Sequence, residues 1–229
     1  MSIKVEGSEK AMESLAKVIE VFQEQTIGDV IAAGRIAAAA AEHENLPSSG
    51  WSMRNRMLAY LQGGSLDCRG ARQWKQAGRL IKKGGSAVYI WKPLGFTVQD
   101  EESDEERWVL RGFKAIPVFP IHMTRPMSKD EAEAAGVEFV DYTPAELPPL
   151  AELADRFGLT VEWWPLRDVT LGWYHDQSKH IMVGTEGGRD GHHTWFHELG
   201  HAVHAEVLQR RGEKLGQVSD AKAEAVADV

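Results

Sequence analysis

The stretch His193-Thr194-Trp195-Phe196-His197-Glu198-Leu199-Gly200-His201-Ala202-Val203-His204 decides how this chain is read. Inside it, His197-Glu198-x-x-His201 places two imidazoles one turn apart on one face of a helix. So spaced, they can hold one Zn²⁺, and Glu198 can reach a metal-bound water as general base. Phe196, Leu199, Ala202 and Val203 form an apolar stripe that predicts a buried helix. Downstream stands Glu224-Ala225-Val226-Ala227-Asp228. A Glu on a following helix is the third ligand in one class of zinc peptidase. A carboxylate four residues later, Asp228, shares its face and can hold a histidine ligand by its second ring nitrogen. The competing reading is a histidine-rich surface helix, with Glu224 a solvated carboxylate. His192, His193 and His204 compete for the metal; solvated or supporting imidazoles are the blander assignment for them.

The 229 residues suffice for one large domain or two small ones, and 43% hydrophobic content suits a chain that buries a core. No apolar run is long enough for a membrane span. The first residues, Met1-Ser2-Ile3-Lys4-Val5-Glu6-Gly7, lack the apolar core of a signal peptide. A single cysteine, Cys68, excludes an intrachain disulfide and a cysteine-based zinc site, and fits a reducing cytoplasm. It is expected to be a partly buried thiol rather than a nucleophile.

Net charge is −8, which argues against indiscriminate binding of nucleic acid by the whole molecule. The distribution is uneven. Between Trp51 and Phe96 stand Arg54, Arg56, Arg69, Arg72, Lys75, Arg79, Lys82, Lys83 and Lys92, against one acid, Asp67. Trp51, Tyr60, Trp74, Tyr89, Trp91 and Phe96 are interleaved with them. Cations for phosphates and rings for unpaired bases are how proteins hold single-stranded nucleic acid without reading sequence. The alternative places Trp74 and Trp91 in the core and makes Lys82-Lys83 a solvated turn.

Periodicity predicts helices over 8–24, 28–44 and 52–62, the last capped by Ser52 with Met53, Met57, Leu58 and Leu61 inward. A short helix over 71–78, a strand over 87–91 ended by Pro93, an acidic turn over 100–106, and strands at 108–110 and 113–119 follow. Ser128-Lys129-Asp130-Glu131 reads as a capping box. Helix 149–157, strands 160–164, 171–174 and 180–183, and the His197 helix complete an α+β chain. The expected division is a small α+β nucleic-acid-binding domain at 1–127, a linker at 128–148 and a second α+β domain at 149–229.

The chain resembles the ArdC-type antirestriction proteins of plasmids and phages. The resemblance is carried by Ser52-Met53-Arg54-Asn55-Arg56-Met57-Leu58, by Trp74-Lys75-Gln76-Ala77-Gly78-Arg79, and by Lys82-Lys83-Gly84-Gly85-Ser86-Ala87-Val88-Tyr89-Ile90-Trp91-Lys92-Pro93. It continues through Gly112-Phe113-Lys114-Ala115-Ile116-Pro117-Val118-Phe119, Gly172-Trp173-Tyr174, and the His197 to His201 motif with Glu224. The chain departs from the family pattern after Phe119, where Pro120-Ile121-His122-Met123-Thr124 replaces an acidic residue and a Gln-Thr pair. Relatives also continue with further helices after the third-ligand Glu, so the peptidase domain is expected to be cut short.

The resemblance implies a single-stranded-DNA-binding domain followed by a zincin-like metallopeptidase domain. Zn²⁺ would sit on His197, His201 and Glu224, with Glu198 catalytic and Asp228 behind the ligands. Arg54, Arg56, Trp74, Lys75, Arg79, Lys82, Lys83 and Lys92 would contact DNA. It also implies an extended substrate paired to an edge strand before the helix, for which 180–183 is the candidate; Tyr174 or a neighbouring His is a candidate oxyanion donor. Three functions follow. One is a DNA-binding peptidase of a mobile element, acting on DNA-associated or defence proteins. The others are a DNA-protecting protein with an inert or structural zinc site, and a repressor-cleaving peptidase with no DNA role. The partners are single-stranded DNA and a protein or peptide, with no membrane.

Overall fold

The structure, a computed structural model, describes residues 4–6, 9, 12, 16, 27–42, 46–99, 106–165, 171–176, 178–185 and 191–213. The helix expected over 8–24 lies almost wholly outside them, as do Glu224 and Asp228. The described chain is mixed α+β and divides into two compact units, Met1–Phe139 and Val140–Val229.

In the first unit, strand β1 (Lys4–Glu6) precedes helix α1 (Ile27–Ala39), a 3₁₀ turn (Ala40–Glu42) and helix α2 (Met53–Gly63). Ser52 caps α2 by accepting from the Asn55 N–H, and Gly64 ends it in the left-handed region that glycine reaches without strain. Leu58 and Ala59 of α2 are buried, whereas Met53, expected inward, is exposed. Ala40, Leu46 and Leu66 form one core cluster, flanked by Ile36 and Tyr60.

Strand β2 (Cys68–Arg69), helix α3 (Ala71–Gln76) and strand β3 (Arg79–Ile81) lead into the dominant feature, strands β4 (Val88–Gln99) and β5 (Glu106–Pro120). They pair antiparallel over their whole length, with a bulge at Leu94/Gly95. The other edge of β5 takes β1, parallel, and β2, antiparallel. Two expectations fail here. Pro93 does not end its strand: among the described residues β4 pairs only with β5, and an edge strand tolerates a proline, whose missing N–H can face outward. Nor do 108–110 and 113–119 form two strands, because the bulge absorbs one residue and lets β5 run through.

Helix α2 blunts part of the open edge of β4. The Asn55 side-chain amide donates to the Trp91 carbonyl at 2.7 Å and accepts from the Trp91 N–H at 3.0 Å. Gln62, two turns on, does the same for Tyr89, at 2.9 and 3.1 Å. Ala59, Cys68, Val88, Ile90 and Val118 make the core beneath. Cys68 is fully buried, its thiol 3.2 Å from the Ser65 carbonyl. Strand β6 (Thr124–Pro126) pairs with β3, and helix α4 (Lys129–Ala135) opens on the expected capping box of Ser128 and Glu131.

In the second unit, helix α5 (Glu152–Phe157) precedes strands β7 (Thr160–Trp164), β8 (Gly172–His175) and β9 (His180–Gly184), then helix α6 (Gly191–Arg210). The sheet order is β7-β9-β8, with β9 parallel to β7 and antiparallel to β8. Strand 180–183 is therefore central and not an edge. Both its ladders are filled, and no substrate can add to it. Ile181 and Val183 of β9 pack on Trp195, Leu199 and Ala202 of α6, with Ala154 and Leu159 completing the core. The predicted apolar stripe is rotated: Phe196 and Val203 are exposed, and Trp195, Leu199, Ala202, Ala205 and Leu208 are inside. Both stripes satisfy helical spacing, and the tertiary contact selects between them.

Candidate functional site

Helix α6 is anchored by Trp195, which is buried and donates its indole N–H to the Pro149 carbonyl at 3.0 Å. That anchor fixes the rotation of the helix. The His197 and His201 rings, one turn apart, meet edge to face with centroids 4.7 Å apart and Nε2 atoms 3.1 Å apart. Two nitrogens on one tetrahedral Zn²⁺ at bond lengths of about 2.0 Å lie about 3.3 Å from each other. The 3.1 Å separation, a hydrogen-bond contact between the two rings, is close to the one a shared metal demands, and neutral imidazoles are the right donors for Zn²⁺.

Glu198, between them in sequence, is buried, with 6% exposure. It crosses β8 at Gly172: a Cβ there would meet Thr194 Cγ2 at 2.6 Å, the Met182 carbonyl oxygen at 2.7 Å and Glu198 Cγ at 3.2 Å. Gly172 is therefore the residue that lets α6 lie close on β8. Nothing in the local sequence signals this, because the contact spans residues far apart in the chain.

Among the described residues, no group of three or more His, Cys, Asp or Glu side chains gathers around a common point. Glu224 and Asp228, the expected third ligand and its supporting carboxylate, lie outside those residues. His192 and His193 are exposed at the start of α6, and His204 is buried one turn beyond His201. Tyr174 on β8 donates its hydroxyl to Asp176 at 3.0 Å, and burial, followed by that bond, pushes its phenol above the ordinary value. A pair absent from the sequence reading, His180 and Glu162, is nearly buried with Nε2 and Oε2 3.4 Å apart, and the Trp173 ring stands edge-on to His180 at 4.9 Å. Alternation along β9 puts it on the sheet face opposite Ile181 and Val183, away from α6.

The eight residues expected at a DNA surface separate by burial. Arg56, Trp74 and Arg79 are inside. Arg56 donates to the carbonyls of Ala37 (2.6 Å), Ser49 (2.8 Å) and Trp51 (2.6 Å), joining α1 to the loop before α2. Trp74 donates to the Phe119 carbonyl at 2.7 Å, with the Arg69 guanidinium 4.5 Å from its ring centroid. Arg79 donates to Thr124 Oγ1 at 2.7 Å. Lys82 is half-buried and donates to the His122 carbonyl at 3.1 Å. Arg54, Lys75, Lys83 and Lys92 are exposed, and Arg54 lies 5.4 Å from the centroid of the Phe113 ring. Register adds a residue that counting charges over 51–96 passes over: Lys114 stands directly opposite Lys92.

No helix among the described residues is long and apolar enough to cross a membrane. No family model matches the chain, and no curated protein does. It is similar to two crystal structures of the antirestriction protein ArdC from plasmid R388. The metal-free one is 18% identical and covers 85% of this chain and 75% of its own, with a TM-score of 0.26. The Mn(II)-bound one is 16% identical and covers 79% and 73%, also with a TM-score of 0.26.

Proposed function

We propose that this is an antirestriction-type protein of a mobile element, with a single-stranded-DNA-binding first unit and a metal-dependent peptide-hydrolysing centre in the second. The observation that carries the reading is the approach of His197 and His201 Nε2 to 3.1 Å on a helix whose Glu198 lies between them in sequence. His197, His201 and Glu224 would hold the ion, for which Zn²⁺ is the proposal, and Asp228 would steady a histidine ligand. A bound divalent ion supplies Lewis acidity to a water and to a peptide carbonyl. Glu198 is the group that takes the water proton on its carboxylate and returns it to the leaving amine. The substrate strand would pair with β8, which among the described residues is an edge of the sheet and which α6 covers closely at Gly172.

The DNA reading is supported by the exposed Arg54, Lys75, Lys83 and Lys92, the first of them beside the Phe113 ring, and by the motifs through which the sequence resembles ArdC-type proteins. Glu198→Gln tests the peptidase half. We expect it to keep metal and DNA binding and to abolish cleavage of a casein-type protein substrate. Full cleavage by a metal-loaded Glu198→Gln variant would remove Glu198 from the chemistry. Metal-loaded wild type that protects DNA and cleaves nothing would favour the protecting protein instead.

A further inference from the structure

Strand β4 has one edge on β5 and another that is sealed only in part. Asn55 and Gln62 bond the N–H and C=O of Trp91 and Tyr89, so these odd-numbered residues turn both backbone groups away from β5. Pro93, next in that phase, has no N–H to offer. The extra residue at the bulge, Arg111, lies in β5: Leu94 is opposite Gly112, and Gly95 is opposite Leu110. The alternation of β4 therefore continues unbroken, and Gly95 and Thr97 also turn their N–H and C=O outward. Among the described residues nothing bonds them there, and both are exposed. The side chains around this edge are apolar on both faces. Register puts Phe96, Val98 and Val109 on one face, and Trp108 and Leu110 on the other. Phe96, Val98, Trp108 and Leu110 are all exposed, Trp108 by 51% and Phe96 by 46%. An open edge among exposed apolar side chains is a template for another strand, and proteins normally blunt it with charge, proline or cover. Pro93 and α2 do so for the inner half of β4 and stop short of Gly95.

We infer that the outer half of β4 is a dimerisation edge, where two copies of the chain pair antiparallel about a two-fold axis at Thr97. Self-complementarity favours a second copy over any other partner. An axis at Thr97 sets this residue opposite the partner's Thr97, and Phe96 opposite the partner's Val98. Thr–Thr and aromatic–β-branched pairs are among the cross-strand combinations that stabilise a sheet. The axis also falls on an outward-facing residue, so the central pair exchanges both backbone hydrogen bonds. Two ribbons, each marginal alone as a pair of strands, become one four-stranded sheet. On one face, Phe96, Val98 and Val109 of both copies join into a single apolar patch. On the other, the threonine pair lies between two tryptophans, because Trp108 is opposite Thr97 in each ribbon. Charge does not oppose the pairing. Lys92, opposite Lys114, lies about 17 Å along the strand from Thr97, and the partner's Lys92 lies as far in the other direction, well beyond a screening length. A contact this short falls below the about 800 Å² per partner of a standard interface, so the dimer is weak and reversible.

The test is sedimentation velocity of the full chain over a roughly hundredfold range of micromolar concentration. Wild type is expected to pass from monomer to dimer across that range. Thr97→Lys and Thr97→Glu each set like charges opposite one another at the axis, and each alone is expected to weaken dimerisation roughly fivefold. Mixed in equal amounts, they set Lys opposite Glu and are expected to associate at least as well as wild type. Thr97 is exposed, so both variants should keep the fold, which circular dichroism checks. A wild type that stays monomeric throughout overturns the inference without recourse to either variant. So does a dimer that the two variants, alone and mixed, leave unchanged, because it then uses another surface. Weakening by each variant with no recovery on mixing moves the axis away from Thr97 and overturns the pairing as well.

Discussion

Gly172 has no side chain at the point where Thr194 and Glu198 of α6 cross β8, and two of the three atoms nearest a new Cβ there would be closer than 3.0 Å. Gly172→Ala must move the helix or the strand. Overpacking of this kind costs about 1–3 kcal/mol. The expected result is a lower unfolding midpoint together with loss of the proposed hydrolysis, since Glu198 moves with α6; an unchanged midpoint would show that the site yields without cost. Arg56 and Lys92 make a contrasting pair. Arg56→Ala leaves three carbonyls without their donor and should cost on the order of 3 kcal/mol in chemical denaturation. Lys92→Ala should leave stability alone and weaken DNA binding. Both residues belong to one basic segment, and composition counts their charges alike. Only the packing of α1 against α2 distinguishes the buried one.

The element that the sequence describes best is the α6 helix. Its histidines are related by a local spacing, and a local spacing survives whatever the helix packs on. Which face it buries depends on β9, and periodicity alone admits the wrong stripe. Strand order is less legible still. β9 is central because β7 and β8, on either side in space, both precede it in sequence, and no short motif encodes that. The edge of β4 offers an element-level test. Asn55 and Gln62 satisfy two backbone groups each, so Asn55→Leu should cost about 1–3 kcal/mol and raise amide exchange at Trp91. Unaltered exchange at Trp91 would mean that α2 does not seal the edge. Helix α4 gives a pH test. The Arg125 guanidinium, first, and the Ser128 N–H hold the Glu131 carboxyl down from 4.5 to about 2. A depressed carboxyl stabilises the fold fully above its unfolded value and loses that contribution as pH falls toward about 2. The pair is exposed, so the effect is small. Glu131→Gln should flatten the pH dependence of stability between those limits, and an identical profile would show that the pair contributes nothing.

As a whole molecule, the protein joins two compact units whose chemistry differs: cations beside rings in the first, a histidine pair and a buried carboxylate on one helix in the second. The α+β class and the histidine pair were readable from sequence because they rest on local pattern. The cross-strand pairing of Lys92 with Lys114 was not, because it depends on the register of two strands separated in sequence. The proposed chemistry of the second unit requires that His197 and His201 bind a metal. The decisive measurement is elemental analysis of the purified full chain, with His197→Ala purified alongside and both checked for folding by circular dichroism. About one zinc per folded wild-type chain and none in the variant is the expected result. Folded wild type that carries no divalent metal, even after dialysis against zinc, would contradict it.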